Sequence, residues 1–241
     1  MNRVNRNVDD LSDDSAVSTR AVTTTSESDA IRDAIVRGDI APNARLVESD
    51  LSSTFEMSRG AVRTALIRLE QEGLVVRERH RGARVRQVSD AEAVEILQAR
   101  AVLEGLAVRQ TADRIDDAGI ERVTTCLSRH RELLENGDLL RASEANAELH
   151  ATLLELSRNG TVRRLIRTLN AQTVRYQYRT ILIPGRPARS LAEHTAIVEA
   201  VVARRPDDAE AAMRDHLLSV AEAVQHGSFP GGIDKAGRDA P

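Results

Sequence analysis

The chain has 241 residues, a formal net charge of −3 at pH 7, 41% hydrophobic and 2% aromatic residues, no tryptophan and one cysteine, Cys126. A single cysteine excludes an internal disulfide and a cysteine-based zinc site. No apolar run reaches the ~20 residues of a bilayer-spanning helix, the N-terminus lacks an apolar signal core, and no glycine-rich phosphate loop occurs.

A core without aromatics must be built from Leu, Val, Ile and Ala, which suits helix packed on helix. The cysteine usage fits a cytoplasmic location with no membrane partner. Residues 1–25 show no apolar periodicity and are expected to be a disordered tail.

Residues 26–88 form the first block. "SESDAIRDAIVRGDI" puts Ile31, Ala34 and Ile35 on one helical face, with Ser28 placed to cap it. "APNARLVESDLSSTF" turns at Pro42-Asn43, then offers a short helix from near Glu48 with Leu51 and Phe55 facing inward. "MSRGAVRTALIRLEQEG" is a third helix, capped by Ser58 and ended by Gly73. "LVVRE" and "ARVRQV", separated by "RHRG", read as a β-hairpin. Three helices followed by a hairpin make a winged helix-turn-helix.

Met57 to Arg86 carries eight arginines against three glutamates in an otherwise mildly acidic chain. On the third helix Ala61, Val62, Ala65, Leu66 and Leu69 line one side; Arg59, Arg63 and Thr64 face the other. Arg59 and Arg63 stand one turn apart and project together. A major groove admits one such helix, and the arginine fork bonds guanine or phosphate in bidentate fashion. Ser58 and the free amides of the helix start suit a phosphate. In the wing, Gly82 permits a tight tip beside Arg79, His80, Arg81 and Arg84. The competing interpretation is a solvated basic face.

"LVESDLSSTFEMSRGAVRTALIRLEQEGLVVRERHRGARV" closely resembles the DNA-binding domain of GntR-type bacterial transcription regulators. The resemblance implies that Arg59 and Arg63 contact DNA from the recognition helix, with Arg81 and Gly82 at the wing tip. Two positions depart from the family pattern. Gly60-Ala61 stands where many members have Thr-Pro, which is expected to loosen the helix start. Ser49 stands where some members have a DNA-contacting arginine.

Residues 89–227 are helical throughout. Six amphipathic patterns span 89–113, 116–136, 138–157, 160–183, 188–205 and 207–226, cut by turn signals such as Asn136-Gly137 and Pro184-Gly185. Short connections between long helices imply an antiparallel all-α bundle, so the fold class is mostly α. "GRPARS" reads as a turn. Residues 228–241 are expected to be a second disordered tail.

Three histidines of this block share a pattern. His150, His194 and His216 are each flanked by apolar residues and so point into the bundle; Asn146 shares a face with His150. Three inward imidazoles and an amide oxygen would make a site for a divalent metal. The alternative is three separate hydrogen-bonded core histidines. His130, in "SRHREL", lies among charges and is expected to face solvent; His226 sits at a helix end.

"QARAVLEGLAV", "ANAELHATLLELSRN" and "PGRPARSLAEHTAIVEAVVARRPDDAEAAMRDHL" resemble the FCD ligand-binding domain of the FadR-like GntR subgroup. That resemblance implies a Zn²⁺ or Ni²⁺ ion on Asn146, His150, His194 and His216, with Arg100 in the ligand pocket. With Asn in place of Asp the four ligands carry no charge, so the ion keeps its full +2 and attracts an anion to its open positions.

The sequence therefore predicts a cytoplasmic, DNA-binding regulator, not an enzyme. It is expected to repress, to act as a homodimer on a palindromic operator in double-stranded DNA, and to respond to a small organic or sugar acid. Two rivals stand beside it. In one, the helical block is only a dimerisation module with a structural or absent metal; in the other, the chain is a zinc-dependent hydrolase, against which no H-E-x-x-H spacing occurs.

Overall fold

The computed structural model describes residues 29–36, 38–78 and 82–226, and the chain divides into two units between Gln87 and Val88. The expected terminal tails, the Ser28 cap and the wing residues Arg79, His80 and Arg81 lie outside the described residues.

The first unit opens with helix α1 (residues 29–36), which buries Ile31, Ala34 and Ile35 as its periodicity requires. Arg32 on its polar side reaches Glu72 through Nε at 2.8 Å and Nη2 at 2.6 Å, a fork that ties α1 to the far end of the third helix. Strand β1 (Arg45–Leu46) leads into α2 (Glu48–Thr54), whose Leu51 is buried; Phe55 falls just past the helix end and is half-buried. The turn to α3 (Arg59–Gln71) is closed by the buried Met57, whose N–H donates to the Ser52 carbonyl at 3.0 Å.

Ser58 caps α3 by accepting from the Ala61 N–H at 3.1 Å. This revises the expected loosening at Gly60-Ala61: a proline at 61 would have no N–H to give, so alanine supplies a cap bond. Gly73, at φ 71°, ends the helix with the left-handed turn that the sequence signals.

Strands β2 (Val75–Glu78) and β3 (Gly82–Val85) pair antiparallel, and β1 adds to the outer side of β3 through Arg45 opposite Arg84 and Leu46 opposite Ala83. The sheet order is β1-β3-β2. A two-residue strand is too short to show alternation, which is why the sequence points to the hairpin alone.

The second unit holds α4 (Asp90–Arg114), α5 (Asp117–Glu135), α6 (Leu139–Leu156), α7 (Gly160–Thr180), α8 (Arg186–Val202) and α9 (Pro206–His226). Their starts are capped by the side chains of Ser89, Asp116, Asp138 and Asn159. Helix α8 begins at Arg186 with Pro187 in its first turn, behind Gly185 at φ 76°. "RPARS" is thus the first turn of a helix, where proline is favoured, and the expected start at 188 is corrected.

Helix α4 packs chiefly on α9, α5 on α6 and α8 on α9. At Gly105 an added Cβ would come within 2.9 Å of the Arg214 Cγ on α9, so the Arg214 side chain lies directly over the glycine. The core is aliphatic, with Leu149, Leu153, Ile197, Met213 and Leu217 almost wholly buried. Each such side chain contributes about 1.5–3 kcal/mol on burial. Among the described residues, six charged or imidazole side chains are buried in this unit: Glu104 on α4, His130 on α5, His150 on α6, Arg186 and His194 on α8, and His216 on α9.

Candidate metal centre and nucleic-acid face

Helices α6, α8 and α9 each deliver one imidazole to a single point. The Nε2 atoms of His150 and His194 stand 3.2 Å apart, as do those of His194 and His216. Three nitrogens held tetrahedrally at about 2.0–2.1 Å from one ion would be about 3.3 Å apart, so the spacing suits a metal.

The proton inventory points the same way. His150 Nδ1 lies 2.7 Å from Glu104 Oε2, and His216 Nδ1 lies 2.7 Å from Glu193 Oε2. Each Nδ1 donates to its carboxylate, so in the neutral rings both Nε2 atoms carry lone pairs. His194 has at most one proton to offer between them. With that proton on its Nδ1, His194 leaves all three Nε2 lone pairs facing one another, an arrangement that a cation would satisfy.

The carboxylates are themselves anchored. Glu104 is 1% exposed and accepts from Arg100 Nε at 2.8 Å. Burial opposes its charge, but Arg100 and then His150 outweigh that and hold it down to about 2. Glu193 accepts from Arg186, Arg189 and Ser219. Burial again opposes its charge, and the bonds from His216 and Ser219 hold it down to about 2. Carboxylates bonded to the far nitrogen of a ligating histidine fix tautomer and ring direction.

Burial pushes His216 down to about 4 against its bond to Glu193, and burial with the neighbouring imidazoles pushes His194 well below its ordinary value. Both rings are therefore neutral, and able to ligate, near pH 7.

Asn146 lies one turn before His150, and its Oδ1 is buried with no hydrogen-bond partner among the described residues. It lines the same cavity as His150 and His216. An orphaned acceptor beside three converging imidazoles fits an N₃O donor set.

That cavity has a volume of about 100 Å³. Arg100 lines it as the sequence expects, but its Nε is engaged by Glu104. Arg186, which the sequence reading did not single out, is 7% exposed, lines the cavity, and has a buried Nη1 without a partner among the described residues. Its place in the first turn of α8 leaves no periodic signature.

His130 corrects a second expectation. It is 2% exposed, gives its Nδ1 proton to the Ala142 carbonyl at 2.9 Å, and lines the cavity. Burial, partly offset by the bond to Ala142, holds its pKa below the ordinary value. The signal was present: His130 shares a helical face with Val123, Leu127 and Leu134 at i−7, i−3 and i+4. Its chain neighbours are charged; its face neighbours are not.

On α3, Arg59, Arg63 and Thr64 are exposed on the side opposite the buried Val62, Ala65, Leu66 and Leu69. Arg63 Nε donates to Glu48 Oε2 at 2.8 Å, with the arginine side chain 62% exposed. Such a surface pair is worth at most about 1 kcal/mol, so it yields readily to a phosphate or base. Thr64 returns its hydroxyl proton to the Gly60 carbonyl at 3.1 Å. Ser49 lies within α2 and donates to Asp50 at 3.0 Å. Gly82 is exposed at φ 83°, in the left-handed region that a tight tip uses.

Residues 95–219 match the FCD domain model, and residues 28–85 match the model "Bacterial regulatory proteins, gntR family". The "Probable D-xylose utilization operon transcriptional repressor" of Paenarthrobacter nicotinovorans is 29% identical over 225 residues, covering 90% of this chain and 96% of that one. The "HTH-type transcriptional repressor RspR" of Escherichia coli K12 is 28% identical over 195 residues, covering 81% and 86%. BphR of Paraburkholderia xenovorans LB400, an HTH-type transcriptional regulator, is 30% identical over 204 residues, covering 81% and 82%. Among solved structures, E. coli McbR/YncC superposes with a TM-score of 0.72 at 17% identity, over 84% of this chain and 96% of that one, and so shares the fold. The relatives are transcription regulators, not enzymes. Among the described residues no helix is long and apolar enough to cross a membrane.

Proposed function

The chain belongs to the gntR family of bacterial regulatory proteins and carries an FCD domain, and we propose that it is a metal-loaded repressor released from DNA by a small organic or sugar acid. Two of its relatives are named as repressors, which supports that sense of regulation. Asn146, His150, His194 and His216 would hold a divalent ion such as Zn²⁺ or Ni²⁺. The ion would supply open coordination positions for an anionic oxygen. Arg186 Nη1, with Arg100 beside it, would take the remaining negative charge of the acid.

The observation that carries this reading is the meeting of three buried Nε2 atoms, two pairs of them 3.2 Å apart, with at most one proton among them. Glu104 and the half-buried Glu193, the acids bonded to the imidazoles, are both occupied by histidine and arginine donors, so neither is free to activate water as the hydrolase rival requires.

Ser58, Arg59, Arg63 and Thr64 would meet duplex DNA, with Arg81 and Gly82 of the wing in the adjoining groove. A single reading head supplies little affinity, so two copies would read a palindrome. The exposed Val102 and Leu106 on α4 and Leu218 on α9 support association of the helical unit with a second copy. The acid would favour the DNA-incompetent population by binding it more tightly.

The test uses full-length protein purified without a nickel column. Elemental analysis should give about one divalent ion per chain. Fluorescence anisotropy on DNA from the chain's own gene neighbourhood should show binding that an acid from a panel weakens only in the metal-loaded form. A metal-free protein with an unaltered acid response defeats the reading.

A further inference from the structure

Two of the three converging imidazoles have a carboxylate on the far nitrogen. Glu104 accepts from His150 Nδ1 and Glu193 from His216 Nδ1, each at 2.7 Å. The corresponding atom of the third ring, His194 Nδ1, is buried without a partner among the described residues. When His194 Nε2 offers its lone pair to an ion, the one proton of the neutral ring sits on Nδ1. A buried N–H of this kind calls for an acceptor.

An acceptor stands beside it. Helix α5 packs against α8, and the His130 ring meets the His194 ring edge to face, with centroids 5.4 Å apart and planes at 77°. His130 gives its Nδ1 proton to the Ala142 carbonyl at 2.9 Å, and a carbonyl can only accept. In the neutral ring its Nε2 is therefore a lone-pair acceptor, and that atom is also buried without a partner among the described residues. Two imidazoles joined by an N–H···N bond of about 3 Å have centres roughly 5 Å apart. Neither nitrogen is bonded as the rings stand, and the separation suits such a bond once N–H and lone pair face each other. Other orphaned atoms of this unit fit the role less well. Arg186 Nη1 is a donor, Asn146 Oδ1 is the oxygen of the N₃O donor set, and Asn170 lies on α7, which packs chiefly on α4 and α6.

We infer that His130 positions His194 for the metal: its Nε2 accepts the Nδ1 proton of His194, so that each of the three rings is oriented through its far nitrogen. This rests on the reading of the three imidazoles as metal ligands and places His130 behind them, not among them. The acceptor is a neutral imidazole where the other two are carboxylates, so it orients the ring without adding a third negative charge to the buried site.

The experiment is Zn²⁺ affinity, by competition with a fluorescent chelator, on the full-length protein purified without a nickel column. His130→Phe keeps a ring of similar size and removes the acceptor. It should bind Zn²⁺ about 10–100-fold more weakly than the unaltered protein, while the metal-free form still melts cooperatively. His130→Gln, whose amide can give a proton to Ala142 and accept one from His194, should recover affinity to within about threefold of the unaltered protein. A His130 that only fills space predicts the opposite order, with phenylalanine conservative and glutamine costly. Unchanged affinity in His130→Phe overturns the inference alone, since water or another group would then take the His194 proton. A loss in His130→Gln as large as in His130→Phe also overturns it, because the acceptor would not be what matters. An unaltered protein that binds no Zn²⁺ overturns both this inference and the metal-site reading beneath it. Should His130→Phe not fold, His130→Leu takes its place in the comparison with His130→Gln, with the same outcomes.

Discussion

His150 and His194 lie 44 residues apart in the chain, yet their Nε2 atoms stand 3.2 Å from one another in the bundle interior. His150 is oriented by Glu104 through its other nitrogen, and the Nδ1 of His194 is a buried atom without a partner among the described residues.

Replacing His194 by alanine should abolish metal retention. Bound metal should fall from about one per chain to under a tenth by elemental analysis. The stabilisation that added Zn²⁺ gives at 100 times its Kd, about 2.7 kcal/mol, should vanish from thermal melts. Metal-dependent stabilisation persisting in the variant would show that the ion sits elsewhere.

The carboxylates of Glu104 and Glu193 should tune metal affinity without touching the ion. Glu104→Gln and Glu193→Gln each remove the acceptor that orients a ligating ring. Competition with a fluorescent chelator should report about a 10–100-fold weaker site in each. Unchanged affinity would mean that the rings are held by packing alone.

Acid should destabilise the metal-free protein in two stages. His216 is held down to about 4 and His194 well below the ordinary 6.5, so below 6.5 the unfolded chain binds more protons than the folded one. The stability they contribute is complete above about 6.5 and is lost as the pH falls from there through about 4. Glu104 and Glu193, held down to about 2 from 4.5, contribute stability that is present above 4.5 and is lost on further descent through about 2. Thermal melts at pH 7.5, 5.5 and 4.0 should show Tm dropping at each step; a flat Tm between 7.5 and 5.5 contradicts the neutral-imidazole account.

Arg59→Ala and Arg63→Ala should each weaken operator binding by about 1–3 kcal/mol if they reach base edges, with relaxed sequence preference. If they reach phosphate instead, the loss should be uniform across sequences and the salt slope should fall by about 1. Glu48→Gln should release Arg63 and leave affinity equal or slightly higher, because the pair it breaks is exposed. Anisotropy titrations across a salt series read all three; an unaltered affinity in both arginine variants would remove α3 as the reading helix.

The sequence by itself determined the helices and most of their ends, because those signals are local, though it passed over the two-residue β1 and started α8 two residues late. The cap at Ser58, the left-handed turn at Gly73, and apolar periodicity all act within one or two turns of chain. It also singled out His150, His194 and His216, since each sits on an apolar helical face. The tertiary structure decided what no local pattern encodes. Packing of α6, α8 and α9 brought those three nitrogens together, α4 supplied Glu104 to orient one of them, and α5 turned His130 inward despite its charged neighbours. It also buried Arg186 in the first turn of α8, leaving one nitrogen unpaired. A helix shows in its sequence which face is apolar, but which side chains of different helices meet there depends on how those faces interlock, a long-range property of packing.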